Sequence, residues 1–153
     1  LRQIKARSPA ARHLRFMEQS PTERATVVVV DDDVGVRTAL AFALEMEGFR
    51  VETFASGEAF LLREPPASPA CLVLDERLPG ASGLQTLRQL RERCVELPAI
   101  LVTSHPGPRT RAAAASAGAP ILEKPLMGET LAAKIQQLIA ANSGVDAMSS
   151  PHH

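Results

Sequence analysis

From Thr26 onward, short apolar runs alternate with amphipathic stretches. Thr26–Val30 is an unbroken β-branched run, the pattern of a strand covered on both faces. Val34–Glu47 has helical spacing: Val36, Leu40, Ala43 and Leu44 fall on one face, and Gly48 suits the turn that ends a helix. Phe49–Phe54 reads as a second strand, and Ser56 as the N-cap of a short helix reaching about Arg63. Pro65, Pro66, Ser68 and Pro69 make a loop. Cys71–Leu74 is a third, wholly apolar strand that ends at Asp75, followed by the turn Leu78-Pro79-Gly80. Ser82-Gly83-Leu84-Gln85 forms a capping box. It opens a helix to about Cys94, with Leu84, Leu87, Leu90 and Cys94 as the predicted buried stripe. Ala99–Thr103 is a fourth strand, and Arg111–Ala117 is a helix stopped by Gly118. Pro120–Glu123 is a short fifth strand, placed at an edge by its proline. Glu129–Ala141 is the last helix, with Leu131, Ile135 and Leu138 inward.

Five β-α repeats with short connections predict an α/β domain over residues 26–141, a single parallel sheet with helices on both faces. Residues 1–25 form a basic and polar extension. Met17 offers a natural start, in which case residues 1–16 are foreign or upstream sequence; a linker from a preceding domain is the other reading. Residues 142–153 are small and polar and read as a tail or linker.

Composition narrows the class. Apolar residues make up 45% of the 153-residue chain and aromatic ones only 3%, so the core must be aliphatic. Basic and acidic residues balance at 17 each, which gives no whole-chain pull toward nucleic acid or anionic membrane. The balance hides an asymmetry: five basic residues and no acid lie in positions 1–16, leaving a body of twelve basic against seventeen acidic residues. Cys71 and Cys94 form no C-x-x-C pair, so neither a disulfide framework nor a zinc site is indicated, and a reducing cytoplasm is the expected location. No apolar run approaches the roughly 18 residues of a membrane span, and no apolar region follows the basic leader as a secretory signal requires. The Arg-rich leader also fits an organellar transit peptide, which the rest of the chain does not favour.

In open parallel sheets, ligands bind beyond the carboxyl ends of the strands. Strand one ends at Asp31, Asp32 and Asp33, strand three at Asp75, strand four at Thr103-Ser104-His105 and strand five at Lys124-Pro125. Crowded carboxylates repel one another unless a cation joins them. Hard oxygen donors without clustered Cys or His favour Mg2+ or a similar ion over zinc. With an ammonium and a hydroxyl beside them, the chemistry this set suits is phosphoryl transfer. Asp33 reads instead as an acidic residue at the start of a helix.

Val28-Val29-Val30-Asp31-Asp32-Asp33, Leu72-Val73-Leu74-Asp75-Glu76-Arg77-Leu78-Pro79-Gly80-Ala81-Ser82-Gly83, Val102-Thr103-Ser104 and Glu123-Lys124-Pro125 together resemble the response-regulator receiver family of bacterial two-component systems. Leu40-Ala41-Phe42 and Gly57-Glu58-Ala59-Phe60 point to its FixJ-like branch. Each motif alone is weak; four in order are specific, and the resemblance covers residues 26–141. It implies a flavodoxin-like doubly wound (βα)5 fold with strand order 2-1-3-4-5. It implies Asp75 as phosphoacceptor, Asp32 as a direct Mg2+ (or Mn2+) ligand, Asp31 as a ligand through water and the Arg77 backbone carbonyl as a further ligand. Thr103 matches the switch hydroxyl and Lys124 the lysine that pairs with the phosphoryl group, with a cis bond to Pro125. Ile121 stands where the family usually has an aromatic switch residue, and the segment Gly118-Ala119-Pro120 is one residue shorter than usual. The side chains of Arg77 and His105 occupy positions that tune acyl-phosphate hydrolysis. The implied partners are a sensor histidine kinase or phosphotransfer protein and a downstream effector or linked output domain, with a phosphorylation-dependent homodimer as one assembly. Such a chain is a self-phosphorylating, self-dephosphorylating acceptor rather than a conventional enzyme, and this segment is expected to touch neither membrane nor nucleic acid.

Three rivals stay open. A degenerate receiver would act as a phosphate-independent interaction module, against which the intact Asp32, Asp75, Thr103 and Lys124 count. An aspartyl-nucleophile phosphatase needs a second acid two residues after the nucleophile, where Arg77 stands. A flavin carrier needs a hydroxyl- and Gly-rich loop after strand one and aromatics around the ring, and this chain has neither.

Overall fold

A computed structural model describes residues Arg24–Ser149, with side chains to Asn142. The elements are β1 Thr26–Val30, α1 Val34–Met46, β2 Arg50–Phe54, α2 Gly57–Leu61, β3 Ala70–Asp75, α3 Gly83–Glu92, β4 Ala99–Thr103, α4 Pro108–Ser116, β5 Ile121–Glu123 and α5 Gly128–Ser149. The five strands are all parallel and lie in the order β2-β1-β3-β4-β5, the doubly wound arrangement that the resemblance implied. The three central strands are the continuous apolar runs, because each is covered on both faces. The edge strands β2 and β5 are half-exposed and carry Glu52 and Glu123 outward.

Period-two alternation splits the core in two. Val27 and Val29, Cys71 and Val73, and Ile100 and Val102 face α1 and α5, where Leu44, Leu131 and Ile135 are fully buried. Val28 and Val30, Leu72 and Leu74, and Leu101 face α2, α3 and α4, against Phe60, Leu84, Leu87, Leu90 and Ala114. Burial pushes the Cys71 thiol up to about 12, so it packs as an apolar group rather than as a nucleophile.

Three helices end alike. Gly48, Cys94 and Gly118 adopt positive φ just past α1, α3 and α4, and the next amide, of Phe49, Val95 or Ala119, donates back to Leu44, Leu90 or Ala114. This is the Schellman ending. It corrects the reading of Cys94, which is exposed rather than part of the α3 stripe. The left-handed turn at φ 63 swings Cys94 outward and folds Val95 back against the core. Two other boundaries differ by three residues or more. α4 starts at Pro108 rather than Arg111, because proline at the first helical position needs no N–H partner. α5 runs past Ala141 to Ser149; one glycine does not stop an established helix, and no proline intervenes before Pro151. The leader, residues 1–23, and the last residues, 150–153, lie outside the described residues. Among the described residues no helix is long and apolar enough to cross a membrane.

Candidate functional site

Strand register decides which side chains meet. Val30 pairs with Leu74, so Asp31 and Asp75 emerge side by side at the tips of β1 and β3. Both share the parity of the α1–α5 face. Lys124 has the parity of Leu122 and reaches that face from β5 across the intervening β4, a gap of about two strand spacings or 9–10 Å. Only a long side chain closes it, and the Lys124 Nζ lies 3.2 Å from Asp75 Oδ2 and 3.8 Å from Asp31 Oδ2. The Lys124–Pro125 bond is cis, as is Ser68–Pro69.

The acids form one cluster. Asp31, Asp32 and Asp75 each offer a carboxylate oxygen within 4.8 Å of the others. Asp31 and Asp75 are buried, and Asp32 is exposed at the mouth. Asp31 Oδ1 accepts the Asp33 amide at 2.9 Å, and the Asp31 carbonyl accepts from the Arg37 guanidinium at 2.7 Å, which fixes the β1–α1 turn. Asp33 points away and caps α1 through the Val36 amide, the helix-start role its sequence position suggested. Beside the acids opens a cavity of about 480 Å³ whose polar lining is Asp31, Asp75, Ser104 and Lys124 and whose walls include Leu40 and Leu126.

Burial raises the Asp31 carboxyl above its ordinary value; the Asp33 amide pulls it down, and the negative charge of Asp75 pushes it up again. Three carboxylates against one ammonium leave two negative charges, the deficit that one hard divalent cation balances. The donor set therefore fits Mg2+. A carboxyl raised in the fold contributes its stability below the unfolded value and loses it as pH rises through the folded one. The cost of Asp31 in the cation-free protein therefore grows as pH rises out of the acid range. Asp31→Asn is expected to raise the melting temperature in EDTA at pH 7 by about 2–5 °C, the shift that about 1 kcal/mol produces at this size. The difference should shrink toward pH 4, and the gain from added Mg2+ should fall. A melting series over pH, with and without Mg2+, checks all three.

Other predicted residues stand around this centre. The Arg77 amide donates to Asp75 Oδ1 at 3.3 Å while its side chain is exposed. Thr103 ends β4 with the parity of Leu101, on the α2–α4 face, and its carbonyl accepts the Lys124 amide at 3.1 Å. Its hydroxyl makes no described hydrogen bond to the acids or to Lys124. Ile121 is half-buried against the α4 side of the core, and His105 is exposed in the β4–α4 loop. Sequence reasoning missed two acids that shape the β3–α3 loop. Glu76 Oε1 accepts the Leu84 amide at 2.9 Å, and Glu58 Oε2, from α2, accepts the Ala81 amide at 2.8 Å.

Comparison with known proteins agrees with this geometry. Residues 27–136 match the response regulator receiver domain family. The transcriptional regulatory protein FixJ of Rhizobium meliloti is 38% identical over 126 residues, covering 79% of this chain and 62% of that protein. The response regulator protein TodT of Pseudomonas putida is 35% identical over 132 residues, covering 82% of this chain and 56% of that one. The chain thus spans just over half the length of these curated relatives. Among solved structures, the response regulator StyR superposes with a TM-score of 0.75 at 35% identity, covering 84% of this chain and 66% of that one. The FixJ-N structure superposes with a TM-score of 0.68 at 36% identity, covering 78% and 95%. With the family match spanning most of the described residues and relatives agreeing in sequence and in fold, the chain belongs to the response-regulator receiver family.

Proposed function

We propose that Asp75 accepts a phosphoryl group from a phosphohistidine of a sensor histidine kinase or phosphotransfer protein, in a Mg2+-dependent reaction in the cytoplasm. The observation that supports this most directly is the Asp75 carboxylate, buried, 3.2 Å from the Lys124 ammonium and clustered with two further acids. Phosphorylation and Mg2+ are typical of the receiver family. A bound Mg2+, held by Asp32, Asp75 and the Arg77 carbonyl, with Asp31 acting through water, would supply charge neutralisation at the phosphoryl oxygens.

The chain's own groups account for the rest. An Asp75 oxygen attacks phosphorus, a P–O bond forms, the P–N bond breaks, and the departing imidazole nitrogen keeps the electron pair. The Arg77 amide orients Asp75 beforehand. Lys124 exchanges its partner, the Asp75 carboxylate, for a phosphoryl oxygen, so its charge stays compensated throughout. The Thr103 hydroxyl starts on the opposite face, and rotation toward the phosphoryl group couples the site to the surface of α4, β5 and α5, with Ile121 beneath it. That surface is read by an effector or a linked output domain, or pairs two copies. The exposed side chains of Arg77 and His105 set the access of water to the acyl phosphate and hence its lifetime.

The phosphodonor needs a surface beside Asp75. Val34 and Phe42 on α1 and Met127 before α5 are exposed large apolar residues on that side of the sheet, and apolar side chains of this size anchor protein interfaces. Incubation with acetyl phosphate and Mg2+ is expected to load the chain, and EDTA to prevent it. Absence of an adduct with Mg2+ present would favour the phosphate-independent interaction module instead. Phe42→Asp is expected to slow transfer from a histidine kinase that loads the parent by about tenfold or more, while leaving acetyl-phosphate loading unchanged. Equal loss with both donors would place Phe42 in the folding of α1 instead.

A further inference from the structure

Several amides of the loop from Asp75 to the start of α3 are satisfied from within it. The Arg77 amide donates to Asp75, Ser82 to Gln85, Gly83 and Leu84 to Glu76, and Gln85 to Ser82. Two described amides reach outside the loop: Glu76 donates 2.9 Å to the Val102 carbonyl of the adjoining strand, and Ala81, further along, donates 2.8 Å to a Glu58 carboxylate oxygen, 23 residues away on α2. Glu58 occupies a place that only glycine leaves free: a Cβ on Gly80, which has φ +75, would lie 2.5 Å from Glu58 Oε2. The bond holds the Glu58 carboxyl below its ordinary value, so the carboxylate is charged at neutral pH. α2 is itself held against α3, where a Cβ on Gly57 would collide with the Thr86 side chain. The far end of the loop is thus tied to an element with a defined place on the sheet, while the near end carries the amide that orients Asp75.

Resting on the reading of Asp75 as acceptor, we propose that Glu58 is a positioning residue for it. Through the Ala81 amide it anchors the β3–α3 loop from outside, and through the Arg77 amide that anchorage sets how the acceptor carboxylate is presented and how well its phosphoryl group is shielded. A small misplacement of reacting groups costs orders of magnitude in rate, and loss of one loop anchor costs less than that.

The test uses the full chain with Glu58→Ala and Glu58→Gln. The glutamine keeps a carbonyl oxygen to accept from Ala81 but loses the charge, as alanine does, so the pair separates the latch from any general effect of charge near the start of α2. After loading with acetyl phosphate and Mg2+, Glu58→Ala is expected to shorten the lifetime of the aspartyl phosphate roughly three- to tenfold, with a melting temperature close to the parent's and with Glu58→Gln restoring most of the lifetime. Amide hydrogen exchange of the unphosphorylated chain should quicken at Arg77 as well as at Ala81 in Glu58→Ala. An unchanged lifetime, or a glutamine variant as short-lived as the alanine one, overturns the proposal. If the parent itself takes no phosphoryl group, the acceptor reading fails separately. The positioning claim then stands on exchange at Arg77: faster exchange upholds it, and unchanged exchange overturns it.

Discussion

With Asn at position 75, incubation with acetyl phosphate and Mg2+ is expected to add no mass, where the parent gains about 80 Da. The amide oxygen of Asn is a far weaker nucleophile than a carboxylate, so uptake should fall by more than about a thousandfold. The substitution isolates chemistry from structure. Asn keeps the shape of Asp and still accepts the Arg77 amide that now lies 3.3 Å from Oδ1. Lys124 keeps a carboxylate, that of Asp31, at 3.8 Å. Removal of the Asp75 charge also lifts one of the repulsions that push the Asp31 carboxyl up. Asp75→Asn should therefore melt at or above the parent temperature in EDTA, and loss of uptake cannot then be ascribed to unfolding. Full loading of the variant would place the acceptor elsewhere and sink the assignment.

What could be read from the chain alone follows from how physical constraints show themselves in sequence. β1 and β4 have the predicted bounds, because burial on both faces forces an unbroken apolar run with sharp polar ends. The acids were legible for the same reason: where an apolar strand stops in carboxylates, the sheet's topology brings those carboxylates together. Cys94 was not legible. Its amphipathic spacing is correct, and a left-handed turn at a cysteine has no residue signature of the kind Gly48 and Gly118 give. Nor was the side of the sheet on which Thr103 rests, since it depends on counting alternation from Leu101 once the ends of the strand are known. Glu58 illustrates the limit. It meets its partner across 23 residues, between a five-residue helix and a loop, and neither periodicity nor local turn chemistry encodes such a contact.

Glycine at position 83 ties the site to the fold, and Gly83→Ala is expected to destabilise the protein by about 1–3 kcal/mol. Local rules predict the opposite sign. Gly83 is the first residue of α3, directly after the Ser82 cap. Alanine there improves helix propensity by up to about 1 kcal/mol and reduces the freedom of the unfolded chain. The surroundings reverse this. A Cβ would lie 2.5 Å from the Asp75 carbonyl oxygen, 3.0 Å from Glu76 Cα and 2.9 Å from a Leu101 methyl. Two of the three are backbone atoms, and Asp75 is held in register with Val102 at the centre of the sheet. β3 cannot yield without breaking its ladder, so α3 must back away, carrying with it the Gly83 and Leu84 amides that Glu76 accepts. The acceptor loop moves as a result, and Gly83→Ala should also slow phosphoryl uptake by roughly tenfold. Gly107→Ala is the control: it also stands at a helix start, as the N-cap of α4, nothing lies within 4 Å of the added methyl, and its stability should stay within about 0.5 kcal/mol of the parent. Urea denaturation of the two variants beside the parent measures the difference. A Gly83→Ala protein as stable as Gly107→Ala would show that α3 does not press on the end of β3, and the coupling of that helix to Asp75 would go with it.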